Sequence, residues 1–143
     1  MSALAPLMPP AVPRTRRDGP PSPAAWALVE QARQGLLDAE CATRPVDRYA
    51  QAHLAALRAA AAVLAARTRP RRRARPTSAW VLLAAVAPEF AEWSAFFTAA
   101  SATRVAAEAG VHRLVTTRDA EDLIRQVDEF LRLVEHKISG TST

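Results

Sequence analysis

The 143 residues hold a single cysteine, Cys41, so no internal disulfide can form and no thiol pair stands at zinc-finger or redox spacing. That suits a reducing compartment and predicts a small buried or half-buried apolar residue. Only four glycines occur, which excludes a glycine-rich phosphate loop and leaves few tight hairpins. The three histidines, His53, His112 and His136, are too scattered for a metal set, so neither metal nor cofactor is expected. No stretch approaches the roughly 18 uninterrupted apolar residues of a membrane span, because arginine, glutamate or proline cuts every alanine-rich run. The opening stretch 1–13 lacks a basic leader and contains four prolines, so it does not read as a signal peptide. The expectation is a cytoplasmic protein without a membrane segment.

Half of the residues are hydrophobic, dominated by alanine, leucine and valine, and only 6% are aromatic. That composition favours closely packed helices in one domain over a strand-built core. The net charge of +5 is unevenly spread. Six arginines (Arg67, Arg69, Arg71, Arg72, Arg73 and Arg75) fall in the segment 67–76, so the rest of the chain sums to −1. Like-charge repulsion and two prolines predict an exposed loop there. Residues 1–22 carry six of the eleven prolines and show no apolar period, which predicts a disordered Pro/Arg-rich tail ahead of a helical domain over 23–140.

Helix signals then follow in order. Ser22 before Pro23 reads as an N-cap with proline at the first helical position. Ala25, Val29, Ala32, Leu36 and Ala39 form an apolar stripe to about Cys41, with Glu30, Arg33, Gln34 and Asp38 on the wet side. Pro45 and Asp47 open a second helix, YAQAHLAALRAAAAVLAAR, that is apolar around most of its girth. One face is Ala50, Leu54, Leu57, Ala61 and Leu64; another is Tyr49, Ala52, Ala56, Ala60 and Val63. Thr77 or Ser78 caps a short helix over Trp80 to Ala87 that must stop or kink at Pro88. Phe90, Trp93, Phe97 and Ala100 then form an aromatic core stripe to which Trp80 adds, and the helix runs on to Gly110. Thr116 and Asp119 open a last helix with a capping box, and Ala120, Leu123, Ile124, Val127, Phe130, Leu131, Val134 and Ile138 trace its stripe. His136 and Lys137 suit its negative end. Four to five helices with short connections predict an all-α antiparallel bundle.

In this order, DRYAQAHLAALRAAAAVLAAR, SAWVLLAAVAPEFAEW and TTRDAEDLIRQVDEFLRLVE resemble the HEPN superfamily, in its stand-alone single-domain actinobacterial branch, over residues 25–138. The resemblance implies a dimer-forming helical bundle. In many relatives it is a metal-independent endoribonuclease, and in others a non-catalytic RNA-, nucleotide- or protein-binding module. The enzymes carry an arginine and a histidine, four to six residues between them, near the start of the last long helix, and pair two copies across the dimer. Here the positionally matching pair is Arg104 and His112, but seven residues intervene and Gly110 interrupts them.

Arg48 and His53 have the right spacing but lie in the second helix, about 140° apart around its axis, too far to converge on one phosphate without a second protomer. A ribonuclease needs one group to move a proton and a cation to stabilise the phosphorane, so this spacing points away from catalysis. His53 beside Tyr49 and Leu57 reads as a core or interface histidine, His112 as a loop residue and Arg104 as a helix-end charge. The remaining functional feature is the arginine segment. Arg69, Arg71, Arg72, Arg73 and Arg75 can hold phosphates in a sequence-independent, salt-dependent way, although a solvated loop that keeps the bundle soluble needs the same residues. No aromatic is interleaved for base stacking. The expected function is a non-catalytic HEPN module, a homodimer associated with RNA or another polyanion. The alternatives are a toxin-like endoribonuclease and an adaptor that binds protein without nucleic acid.

Overall fold

The computed structural model describes residues 22–67, 78–111 and 114–140. The described residues form five α-helices and one 3-10 turn, with no strand: α1 Pro23–Cys41, α2 Pro45–Arg67, α3 Ala79–Val86, the turn Pro88–Phe90, α4 Ala91–Glu108 and α5 Thr117–Ile138. The tail 1–21 and the segment 68–76 lie outside the described residues; Arg67 is the last residue of α2.

The helices begin where local chemistry provides a cap. The Ser22 hydroxyl accepts from the Ala25 amide at 3.3 Å and the Ser78 hydroxyl from the Trp80 amide at 3.1 Å. At α5 the capping box is complete, with Thr116 and Asp119 each accepting from the other's backbone amide at 3.0 Å. Pro88 ends α3, and the chain bends through the 3-10 turn into α4. α4 stops at Glu108, with Gly110 at φ 116, a conformation that side-chain-bearing residues rarely adopt.

α2 touches each of the other four helices, and its alanines let them come close. Ala52, Ala55, Ala56, Ala59, Ala60 and Ala62 are all fully buried. Gly35 of α1 faces Ala55 so closely that a Cβ there would sit 3.4 Å from the alanine methyl. The expected core stripes of α1 and α5 are buried throughout. On α2, the Tyr49–Val63 face is the core, while Leu54 on the other face is 39% exposed. Volume comes from the aromatics. Trp80 stacks on Phe97 with ring centroids 4.9 Å apart, and Phe97, Phe90 and Trp93 all meet Phe130 of α5 at 5.1–5.6 Å.

Two local expectations need correction. Cys41 is exposed, because α1 ends there and its last turn rotates the side chain away from Ala39's buried face. Arg33 is not simply on the wet side. It spans from α1 to α5, with Nη1 2.9 Å from Asp128 and with Nη2 and Nε 2.9 and 3.1 Å from the two Glu135 oxygens. The planar guanidinium fits this forked arrangement, which fixes the axial register of α1 on α5.

Candidate functional site

Arg48 and His53 share α2 but serve different neighbours. Arg48 points its Nε to the Ala39 carbonyl at 3.3 Å, satisfying one of the carbonyls left free near the end of α1, and its Nη1 lies 3.9 Å from Glu121 of α5. His53 turns inward and is 1% exposed. Its Nε2 lies 3.3 Å from the Phe97 carbonyl of α4. A carbonyl only accepts, so the neutral ring carries its proton on Nε2 and donates there. Nδ1 is buried without a hydrogen-bond partner among the described residues. The ring meets Trp80 and Phe97 edge-on at 6.0 and 6.5 Å. Burial pushes the His53 pKa below the ordinary histidine value; the Phe97 carbonyl opposes this, the Arg104 cation adds to it and the Glu108 carboxylate opposes it.

The Arg104 charge thus acts on the histidine of the other predicted pair. Arg104 Nη1 bonds Glu108 at 2.9 Å one turn along α4, and its Nε is buried without a hydrogen-bond partner among the described residues. His112 lies outside the described residues. α4 ends four residues before it, so no continuous helix carries Arg104 and His112. The fold therefore puts His53 within electrostatic reach of Arg104, one member of each predicted pair, across the α2–α4 contact, without a hydrogen bond between them. Spacing along one helix could not show this, because the two residues lie on different helices and their relation depends on how α2 and α4 pack.

Arg69, Arg71, Arg72, Arg73 and Arg75 also lie outside the described residues. The described residues still inform them through charge. They contain 10 Lys/Arg against 13 Asp/Glu, a net of −3, so the chain's +5 leaves +8 to the remaining segments. Several arginines of the bundle are also paired with carboxylates, among them Arg33, Arg48, Arg67, Arg104 and Arg132. The folded surface is mildly acidic, and the basic character resides elsewhere in the chain.

An open groove of about 640 Å³ runs between α4 and the start of α5, lined by Tyr49, Phe96, Thr103, Leu114, Asp119 and Asp122 among others. Tyr49 lines it beside the Thr103 hydroxyl, and burial raises the phenol's pKa above its ordinary value. Sequence reasoning missed this groove; the adjacent Phe96 and Phe97, which cannot both face one core, were the available signal. Among the described residues, no cluster of three or more His, Cys, Asp or Glu side chains could hold a metal ion. No helix among them is long and apolar enough to cross a membrane.

No curated protein and no solved structure matches the chain. A family model does: the SAV_6107-like HEPN domain matches residues 39–135, from the last turn of α1 almost to the end of α5. With an all-helical bundle over the described residues and a match across about two thirds of its length, the chain belongs to the HEPN family.

Proposed function

We propose that this HEPN protein is a non-catalytic module that holds RNA on its arginine-rich segment and works as a homodimer. The observation that carries the reading is the environment of His53. A histidine that moves a proton during phosphodiester cleavage must reach the scissile bond and titrate near working pH. His53 is 1% exposed, bonded to a backbone carbonyl and biased toward the neutral form. Arg48 is committed to Ala39 and Glu121, and Arg104 to Glu108. The bundle's net −3 disfavours phosphate, and Arg69, Arg71, Arg72, Arg73 and Arg75 are five of the nine basic residues outside it, which supports that segment as the polyanion contact.

Five arginines on a single-stranded RNA should give log Kd against log salt a slope of up to about 3.5, from about 0.7 per phosphate neutralised. Replacing Arg71, Arg72 and Arg73 with glutamine should weaken binding at low salt and reduce the slope by about 2. Unchanged affinity and slope would remove the segment from the function. Metal-independent cleavage of the RNA, lost on replacing Arg104 or His112, would instead support the endoribonuclease reading.

A further inference from the structure

Arg67 opens the run of six arginines and is also the last residue of α2, so its surroundings are defined. It is already engaged. Its Nη2 lies 2.7 Å from Oε2 of Glu89, in the 3-10 turn between α3 and α4, and Nζ of Lys137 on α5 lies 3.9 Å from the same oxygen. One carboxylate thus sits between two cations brought in by the last turns of two helices. Pro88 ends α3 and sets Glu89 in the turn that follows, so the bend of the chain, and not either cation's own helix, positions the carboxylate.

The hydrogen bond from Arg67 holds the Glu89 carboxyl below the usual carboxylate range. Partial burial opposes this, while its own backbone amide and the Arg67 and Lys137 charges reinforce it. Glu89 therefore carries its negative charge at neutral pH.

The carboxylate has two consequences of unequal size. For stability it does little, because all three side chains are about a third exposed, at 32% for Arg67, 35% for Glu89 and 36% for Lys137, and ion pairs this exposed contribute weakly. Both cations also stand at helix C-termini, where the last carbonyls favour positive charge without help from Glu89. For a phosphate arriving on the arginine run the same carboxylate matters more. It sets a full negative charge against the first arginine of a run that continues at Arg69, and it occupies an N–H group with which arginine grips phosphate.

We infer that Glu89 is an internal counter-anion that closes off the polyanion site at Arg67: it keeps Arg67 and Lys137 from phosphate and confines the contact to the arginines beyond. Arg67 and Lys137 are thus a masked phosphate-binding pair. The inference rests on the RNA-binding reading for its ligand, but it names residues outside the arginine set of that reading, and one arm of its test contains no RNA.

Binding of single-stranded RNA by the full chain is measured across a salt series for the parent, Glu89→Gln and Glu129→Gln. The last makes the same charge change at an exposed position of α5. Glu89→Gln should bind several-fold more tightly at low salt and steepen the slope of log Kd against log salt by up to about 1.4, from about 0.7 for each of two freed cations. Glu129→Gln should stay within about twofold of the parent, since it frees neither cation. Lys137→Gln should leave the parent's affinity unchanged and remove part of the gain in the Glu89→Gln background. In the arm without RNA, tripolyphosphate should shift the NMR resonances of Lys137 in Glu89→Gln and not in the parent.

Equal affinities for Glu89→Gln and Glu129→Gln overturn the inference. So does a Lys137→Gln substitution that weakens the parent as much as it weakens Glu89→Gln, or a Lys137 that ignores tripolyphosphate in the variant. RNA bound by none of the proteins would remove the proposed function, whereas a tripolyphosphate response of Lys137 confined to Glu89→Gln would still uphold the masking by Glu89.

Discussion

Lowering the pH from 7.5 to 5.5 should destabilise this protein through His53. In the folded chain the ring is buried against Trp80 and Phe97, its Nε2 proton is held by the Phe97 carbonyl, and Nδ1 faces no acceptor that a second proton could use. Arg104 opposes protonation and Glu108 favours it, with burial the largest influence, so the folded pKa lies below the unfolded one. The sign follows from linkage: the contribution is fully present above the unfolded pKa of about 6.5 and is lost as pH falls, because the unfolded chain then binds the proton more readily. If the folded ring stays neutral throughout, the folding constant drops about tenfold between these pH values, about 1.4 kcal/mol, and this is the ceiling. Urea titrations of the parent and His53→Leu at both pH values measure it, since the other titratable groups are common to both proteins. The parent should lose more stability than the variant by up to this amount. Equal pH dependence in the two proteins would refute the neutral buried histidine.

Arg33→Met should cost about 1 kcal/mol and make the remaining stability less sensitive to salt, because the half-exposed fork to Asp128 and Glu135 is lost while the apolar stem is kept; thermal melts at two salt concentrations measure this. Phe97→Ala should cost about 3 to 5 kcal/mol, since the ring is fully buried and meets Trp80, Trp93, Phe96 and Phe130; urea denaturation that moves by less than 1 kcal/mol would contradict the packing described. Thr116→Ala should cost about 1 kcal/mol through loss of one half of the capping box, read as increased amide exchange in the first turn of α5.

Much of the fold was legible in single helices. Ser22 before Pro23, Thr116 with Asp119 and the eight-residue stripe of α5 all carry their information within a few turns, and all appear where the sequence places them. Features that depend on how two helices are set against each other were not legible. Arg33 belongs to the wet side by periodicity alone and becomes an interhelical clamp only because α5 brings Asp128 and Glu135 alongside. On α2 the leucine face seemed as suitable for the core as the alanine face. The alanine face is the one buried, because closely spaced helices need small residues where they cross. The candidate site shows the same limit. Spacing paired Arg48 with His53 and Arg104 with His112, whereas packing puts His53 within electrostatic reach of Arg104 and turns Arg48 toward α1 and α5. The burial of His53 was suggested by its neighbours Tyr49 and Leu57; the Phe97 carbonyl that receives its proton was not, since it belongs to another helix.

The central claim, a HEPN protein that binds RNA without cutting it, is tested most directly by incubating the full chain with single-stranded RNA in excess chelator and following binding and chain cleavage in the same samples across a salt series. The account predicts intact RNA after hours and binding that weakens steeply with salt. RNA cleaved without metal, with the activity lost in Arg104→Ala or His112→Ala, would contradict it.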